Sequence, residues 1–163
     1  VVLTLPAGFH LAASSSTTTT SVREFVPAGS PPDAWTQVLT EQVVYGVKSI
    51  DPDTLPNTIS AGWRAACPGG EARKIHQGLE GAYPVSIWMF LCPRNPAIRA
   101  PENMWMKIIS GQDTYTPCNW LIDATPDIVM ATMKVLRSVT VCDDRKTPGG
   151  CAPGKPPNRK QEF

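Results

Sequence analysis

Near its C-terminal end the chain reads VTVCDDRKTPGGC, Val139 to Cys151, and then runs on as APGKPPNRKQEF. This junction limits the fold more than any other stretch. From Thr147 onward the composition is Pro, Gly and Lys with almost no apolar side chain. Burial there cannot offset the roughly 1 to 2 kcal/mol per residue that ordering a backbone costs. The reading therefore expects one folded domain over residues 1–151 and an extended Pro-rich arm over 152–163. Such an arm has less entropy to lose on binding than a flexible one. Arg159, Lys160 and Phe163 are expected to anchor it along a partner, since Phe163 is the large apolar side chain of the segment.

With 163 residues the chain suits a single core. A net charge of +1 with both signs intermixed gives no support to nucleic acid or an anionic membrane surface as partner. The longest apolar run, IWMFLC from Ile87 to Cys92, falls far short of the ~20 residues of a spanning helix, so no transmembrane segment is expected. A start at Val1, with neither Met nor a basic leader, leads to the expectation of an exported precursor cut to a soluble periplasmic form. Cys67, Cys92, Cys118, Cys142 and Cys151 show no C-x-x-C pair of the kind used by zinc knuckles, thioredoxin-like sites or haem attachment. Disulfides are the leading account of them, one thiol being left over, and an oxidising compartment such as the periplasm fits.

The first segment centres on SSSTTTTS, which is permissive for strand but has nothing apolar to bury, and is read as an exposed ribbon or loop. WTQVLTEQVVYGV, Trp35 to Val47, is rich in β-branched and aromatic residues and reads as a core strand. After the DPD turn, Asp53 or Thr54 is expected to cap a helix. Pro56 would lie in its first turn, and Leu55, Ile59, Trp63 and Ala66 on its sheet-facing side. Three further strands are expected in YPVSIWMFLCP, NMWMKIISGQ and DTYTPCNWLI. Thr125 as N-cap, Pro126 and Asp127 announce a last helix, with Ile128, Val129, Met133, Leu136 and Val139 as its buried stripe and Lys134 and Arg137 near its C-terminal end. The order β, α, β, β, β, α implies a disulfide-stapled α+β fold, mainly antiparallel sheet with two packing helices, in two or three layers.

Taken in order from about Leu5 to Cys151, EFVPAGSPPDAWTQVLTEQ, CPGG, YPVSIWMFLCP, SGQDTY and VTVCDDRKTPGGC resemble a family of exported proteobacterial proteins of no assigned function. The family pattern has EFVP-G, W-T-x-x-x-T-x-Q, a central cysteine pair, G-x-D-x-Y, and a closing C-D-x-R followed by a last cysteine. The resemblance implies export and a shared fold and transfers no catalytic residue. It also implies bridges Cys67–Cys92 and Cys142–Cys151, with Cys118 as the free thiol. The chain departs from the pattern at YTPCNW, where Pro117 and Cys118 interrupt an otherwise regular strand.

Candidate chemistry is sparse. A Cys142–Cys151 bridge would close a short loop worth roughly 2.5 to 3 kcal/mol, and its Pro-Gly-Gly spacing suits a staple better than a redox pair. Cys118 with His76 as base is a cysteine-dependent alternative, against which stands the ordinary role of cysteine as a small buried apolar side chain. His10 and His76 are the two histidines and show no ligand spacing, so neither a metal nor another cofactor is expected. Asp51 with Asp53, and Asp143 with Asp144, lie beside turn residues and read as turns and caps rather than acid–base pairs. No G-x-S-x-G, phosphate loop or dinucleotide fingerprint is present. Five tryptophans, Trp35, Trp63, Trp88, Trp105 and Trp120, should mostly fill the core, with one or two free to anchor a partner.

The sequence thus favours a non-enzymatic periplasmic accessory subunit of a larger exported or membrane-attached complex, a respiratory dehydrogenase being one such complex. The alternative is a free periplasmic binding protein holding a small apolar ligand between sheet and helix, lined by Trp and Met.

Overall fold

The computed structural model describes residues 3, 5–31, 34–48, 50–111 and 113–139, which form seven strands and two helices. In chain order these are β1 Phe9–Ser16, β2 Thr20–Pro27, β3 Gln37–Val44, α1 Thr54–Ala66, β4 Glu71–Glu80, β5 Tyr83–Asn95, β6 Ala100–Ser110, β7 Thr114–Ile122 and α2 Pro126–Ser138. The Cys142–Cys151 bridge, the Asp143–Asp144 pair and the arm 152–163 with Arg159, Lys160 and Phe163 lie outside the described residues.

All strands join one antiparallel sheet in the order β1-β2-β3-β7-β6-β5-β4. Two meanders, β1 to β3 and β4 to β7, meet where β3 pairs with β7. α1 carries the chain to the far edge and packs over β4 and β5, while α2 packs over β6 and β7. Strand alternation puts Trp88, Phe90, Met104, Met106, Ile108 and Cys118 on the side that α1 covers with Trp63, Leu55 and Ile59. Trp105 and Leu121 point the other way, against Leu136, Val129 and Met133 of α2. Because both faces of β5 and β6 are covered, each carries an apolar run, Ile87–Cys92 in β5 and, broken by Lys107, Met104–Ile109 in β6.

The sheet dominates, so the fold is sheet-rich rather than a balanced α+β domain. One of its strands, β4, is not legible in the sequence, and β1 with β2 is legible there only as an exposed ribbon or loop. Of the two readings of the Ser/Thr segment the exposed ribbon holds: it is the β1–β2 hairpin, which joins the sheet through its main chain while its β1 side chains stay mostly exposed. β4, EARKIHQGLE, is an edge strand whose charged and exposed side chains hide it from any hydrophobic pattern. Gly81, at φ 62, supplies the left-handed step that turns β4 into β5. β7 runs through Pro117 and Cys118 without leaving β3, and its pairing with β6 lapses only between Met106↔Cys118 and Ile109↔Tyr115, beside the proline that lacks an N–H.

α2 starts as its sequence implies: Thr125 Oγ1 accepts from Ile128 N–H at 3.5 Å, Pro126 and Asp127 occupy the first turn, and Arg137 the last. Leu136 and Val139 are buried with Thr132, whereas Ile128 is exposed. At its C-terminal end the buried Lys107 of β6 donates to the Val139 carbonyl at 2.8 Å and pairs with Glu80 at 2.5 Å. A lysine charge at that position complements the helix dipole and is itself neutralised by the carboxylate. Among the described residues no helix is long and apolar enough to cross a membrane.

Candidate functional site

α1 is fastened to the sheet at both ends. Asp53 stands at its N-cap position but makes no side-chain cap. Its carboxylate instead accepts from Trp88 Nε1 at 2.9 Å and from Lys74 Nζ at 2.5 Å. Burial pushes the Asp53 carboxyl up, but hydrogen bonds from Lys74, Trp88 and Ser86, with the Lys74 charge, outweigh it and hold the group below its ordinary 3.8. Asp51 shapes the turn, its Oδ1 accepting from Asp53 N–H at 3.0 Å. At the other end Cys67 is bridged to Cys92 of β5, with Cα atoms 5.7 Å apart.

Between these anchors α1 stands off the end of the sheet and leaves a groove of about 400 Å³. Thr58, Ile59, Gly62, Trp63 and Ala66 form its helical wall, the Cys67–Cys92 bridge lies in it, and Asn95 and Glu102 close the far rim. Trp63 is held in place, donating its indole N–H to the Leu91 carbonyl at 3.1 Å and meeting Phe90 edge to face at 5.6 Å. At the rim Asn95 Nδ2 donates to Glu102 Oε2. The lining is predominantly apolar and the groove opens to solvent. Its shape depends on Gly62. A Cβ there would meet nothing within 4 Å, and the backbone is ordinary helix with no positive φ. Neither sterics nor conformation requires glycine at a position where it costs about 1 kcal/mol relative to alanine. What it provides is space.

The other sequence candidates are dispersed. Cys118 is a free thiol buried on β7, between Thr40 of β3 and Met106 of β6 in the ladder, and burial pushes it up to about 12. His76 lies exposed on β4, which is three strands away, roughly 14 Å at ordinary strand spacing. The structure does not bring the two together. His10 and His76 stand on opposite edge strands, and among the described residues no group of three or more His, Cys, Asp or Glu is placed to hold a metal. Trp63, Trp88 and Trp105 are core residues and Trp35 is half-buried. The alternative sequence reading has an apolar site between sheet and helix lined by Trp and Met. The groove lies at such a junction and includes Trp63, but among the described residues its lining has no Met, and the sequence reading does not anticipate Thr58, Gly62, Asn95 or Glu102. Ala66, expected to face the sheet, is exposed on its wall, and the one available signal was an interior helical glycine in ISAGWRAAC.

Fold and site together define a seven-stranded antiparallel sheet with a helix on each face and an open apolar groove beside a disulfide. No family model matches this chain, and no curated protein matches it. Among solved structures it is similar to a protein described as "Protein Mog1 E65A mutant", with a TM-score of 0.48 and 9% identity, over 82% of this chain and 77% of that one. A likeness that distant carries no statement about what this chain does.

Proposed function

We propose that this chain is a non-enzymatic accessory subunit of a larger exported or membrane-attached complex, and that the α1 groove seats an apolar side chain of its partner. The observation that carries this reading is the groove around Gly62: apolar, open on one side and bordered by small residues. A site for a free small molecule commonly encloses 70 to 90% of its ligand, and the openness of this groove favours a side chain over a free ligand. A side chain projecting from a protein surface needs only such an opening, because the rest of its surroundings come with it. The Cys67–Cys92 bridge is compatible with a periplasmic location, where it would persist.

The test is isolation from the native cell envelope of the wild-type chain and of Gly62→Trp and Gly62→Ala variants. The reading expects wild type and Gly62→Ala to bring down the same stoichiometric partner and Gly62→Trp to lose it. A wild-type chain recovered as a free protein, whose groove takes up the apolar fluorophore N-phenylnaphthylamine unless residue 62 is Trp, would replace this reading with the small-ligand one.

A further inference from the structure

The sheet has two edges of opposite character. β4 carries Glu71, Arg73, Lys74 and Glu80, charges that discourage pairing with another strand. β1, FHLAASSS, has no Asp, Glu, Lys or Arg, and every residue after Phe9 is exposed. Among the described residues β2 is the one strand that pairs with it.

The direction of its free main-chain groups follows from the hydrogen bonds at the ends of the hairpin. Thr17 N–H donates to the Thr20 carbonyl at 2.7 Å, and the register runs Ser16↔Ser21, Ser15↔Val22, Ser14↔Arg23, Ala13↔Glu24. Bonded and non-bonded pairs alternate in an antiparallel ladder. Ser15 and Ala13 therefore bond inward to β2, while the N–H and C=O of Ser14 and Ser16 face outward. β1 has its own bulge, between Leu11 and Ala13, and from Ala13 to Ser16 the register runs without a further shift.

We propose that β1 is the docking strand for a second copy of this chain, the two strands pairing antiparallel about a two-fold axis through Ser15. An antiparallel ladder has this symmetry built in, so one strand can be its own partner. With the axis at Ser15, Ser14 lies opposite Ser16 of the second copy, and both have outward-facing N–H and C=O groups. Across the junction Ser15 meets its own copy, Ser14 meets Ser16 and Ala13 meets Thr17, so neither like charge nor a large side chain opposes it. A second copy brings the same small, uncharged strand with its outward N–H and C=O groups at the matching positions, and this self-complementarity is what commits the edge to it. The contact is smaller than the roughly 1,200 to 2,000 Å² of a standard interface, so the dimer is weak and concentration-dependent. The α1 groove borders β5 and β6 and is not part of this contact. The proposal therefore does not rest on the accessory-subunit reading.

Sedimentation equilibrium of the full chain over about 1 to 500 µM, a range suited to a small contact, tests it with two double variants. In Ser14→Lys/Ser16→Lys the register sets lysine against lysine, and dimerisation should weaken by about tenfold or more at low salt. In Ser14→Lys/Ser16→Glu the same register sets lysine against glutamate, and dimerisation should return to the wild-type level or better. Both positions are exposed and bond to β2 through neither residue; Ser14→Lys faces Arg23 in the ladder in both variants alike, so the thermal midpoints of the two variants should stay together. A wild-type chain that is monomeric over the whole range overturns the proposal, as does a dimer that responds equally to both variants.

Discussion

Trp88 of β5 donates its indole N–H to Asp53 Oδ1 at 2.9 Å, so the N-cap residue of α1 is spent on the sheet and not on its own helix. Removing the carboxylate strands a buried indole N–H and frees Lys74, and Asp53→Ala should cost about 1.5 to 3 kcal/mol, the range for a hydrogen bond to a charged group. Asp53→Asn keeps an acceptor and should lose less. The folded carboxyl titrates below its unfolded value of 3.8. Its stabilisation is therefore complete above that pH and lost as pH falls through the folded value. Urea melts of wild type and Asp53→Asn across pH 2.5 to 6 check this. The gap between them should shrink on acidification, and a constant gap would refute the assignment.

This same residue marks where sequence reasoning stops. α2 was legible because its cap, proline and acidic first turn are local signals that the fold leaves in place. α1 was legible as a helix from its spacing, but the loss of the Asp53 cap to Trp88 and Lys74 depends on residues far along the chain. β5 and β6 carry apolar runs because the centre of the sheet is covered by helices. β1 and β4 have one neighbour each and exposed side chains, so their main-chain pairing leaves no mark on composition. Part of the groove was hidden for a related reason. Thr58, Gly62, Asn95 and Glu102 become neighbours only when the disulfide brings the end of α1 to the end of β5.

The Cys67–Cys92 bridge spans 25 residues, and the chain-entropy relation assigns such a loop about 3.5 kcal/mol. The Cys67→Ala/Cys92→Ala variant should lose about that much in denaturant melts while keeping its strand content by circular dichroism. A variant as stable as wild type would mean that the bridge relieves nothing in the unfolded chain. Peptide mapping without reduction should recover these two cysteines together and the Cys118 peptide as a free thiol.

Cys118 should be inert in the folded protein. Its thiol is buried and pushed up to about 12, so at pH 8 to 9 almost none of it is the reactive thiolate. Peptide-level labelling with iodoacetamide should leave Cys118 unmodified in buffer and modify it fully in urea. The unfolded chain begins to ionise this thiol near 9 and the folded chain does not. The unfolded state thus binds fewer protons between about 9 and 12, and wild-type stability should fall over that window relative to Cys118→Ala. Rapid labelling in buffer, or parallel alkaline profiles for the two proteins, would contradict the buried position.

Gly62 separates stability from binding. A Cβ at this position meets nothing within 4 Å and the helix geometry accepts any L-residue, so Gly62→Ala should stabilise the protein by about 0.5 to 1 kcal/mol through the unfolded chain alone. One methyl group occupies little of a groove of about 400 Å³, and binding should survive it. Gly62→Leu gains the same helical advantage but projects into the opening beside Ile59 and Trp63. It should fold at least as well as wild type and bind less. Thermal melts and partner titrations on the same three proteins measure both quantities, and a destabilised Gly62→Ala would show that the glycine is there for the fold and that the groove around it is incidental.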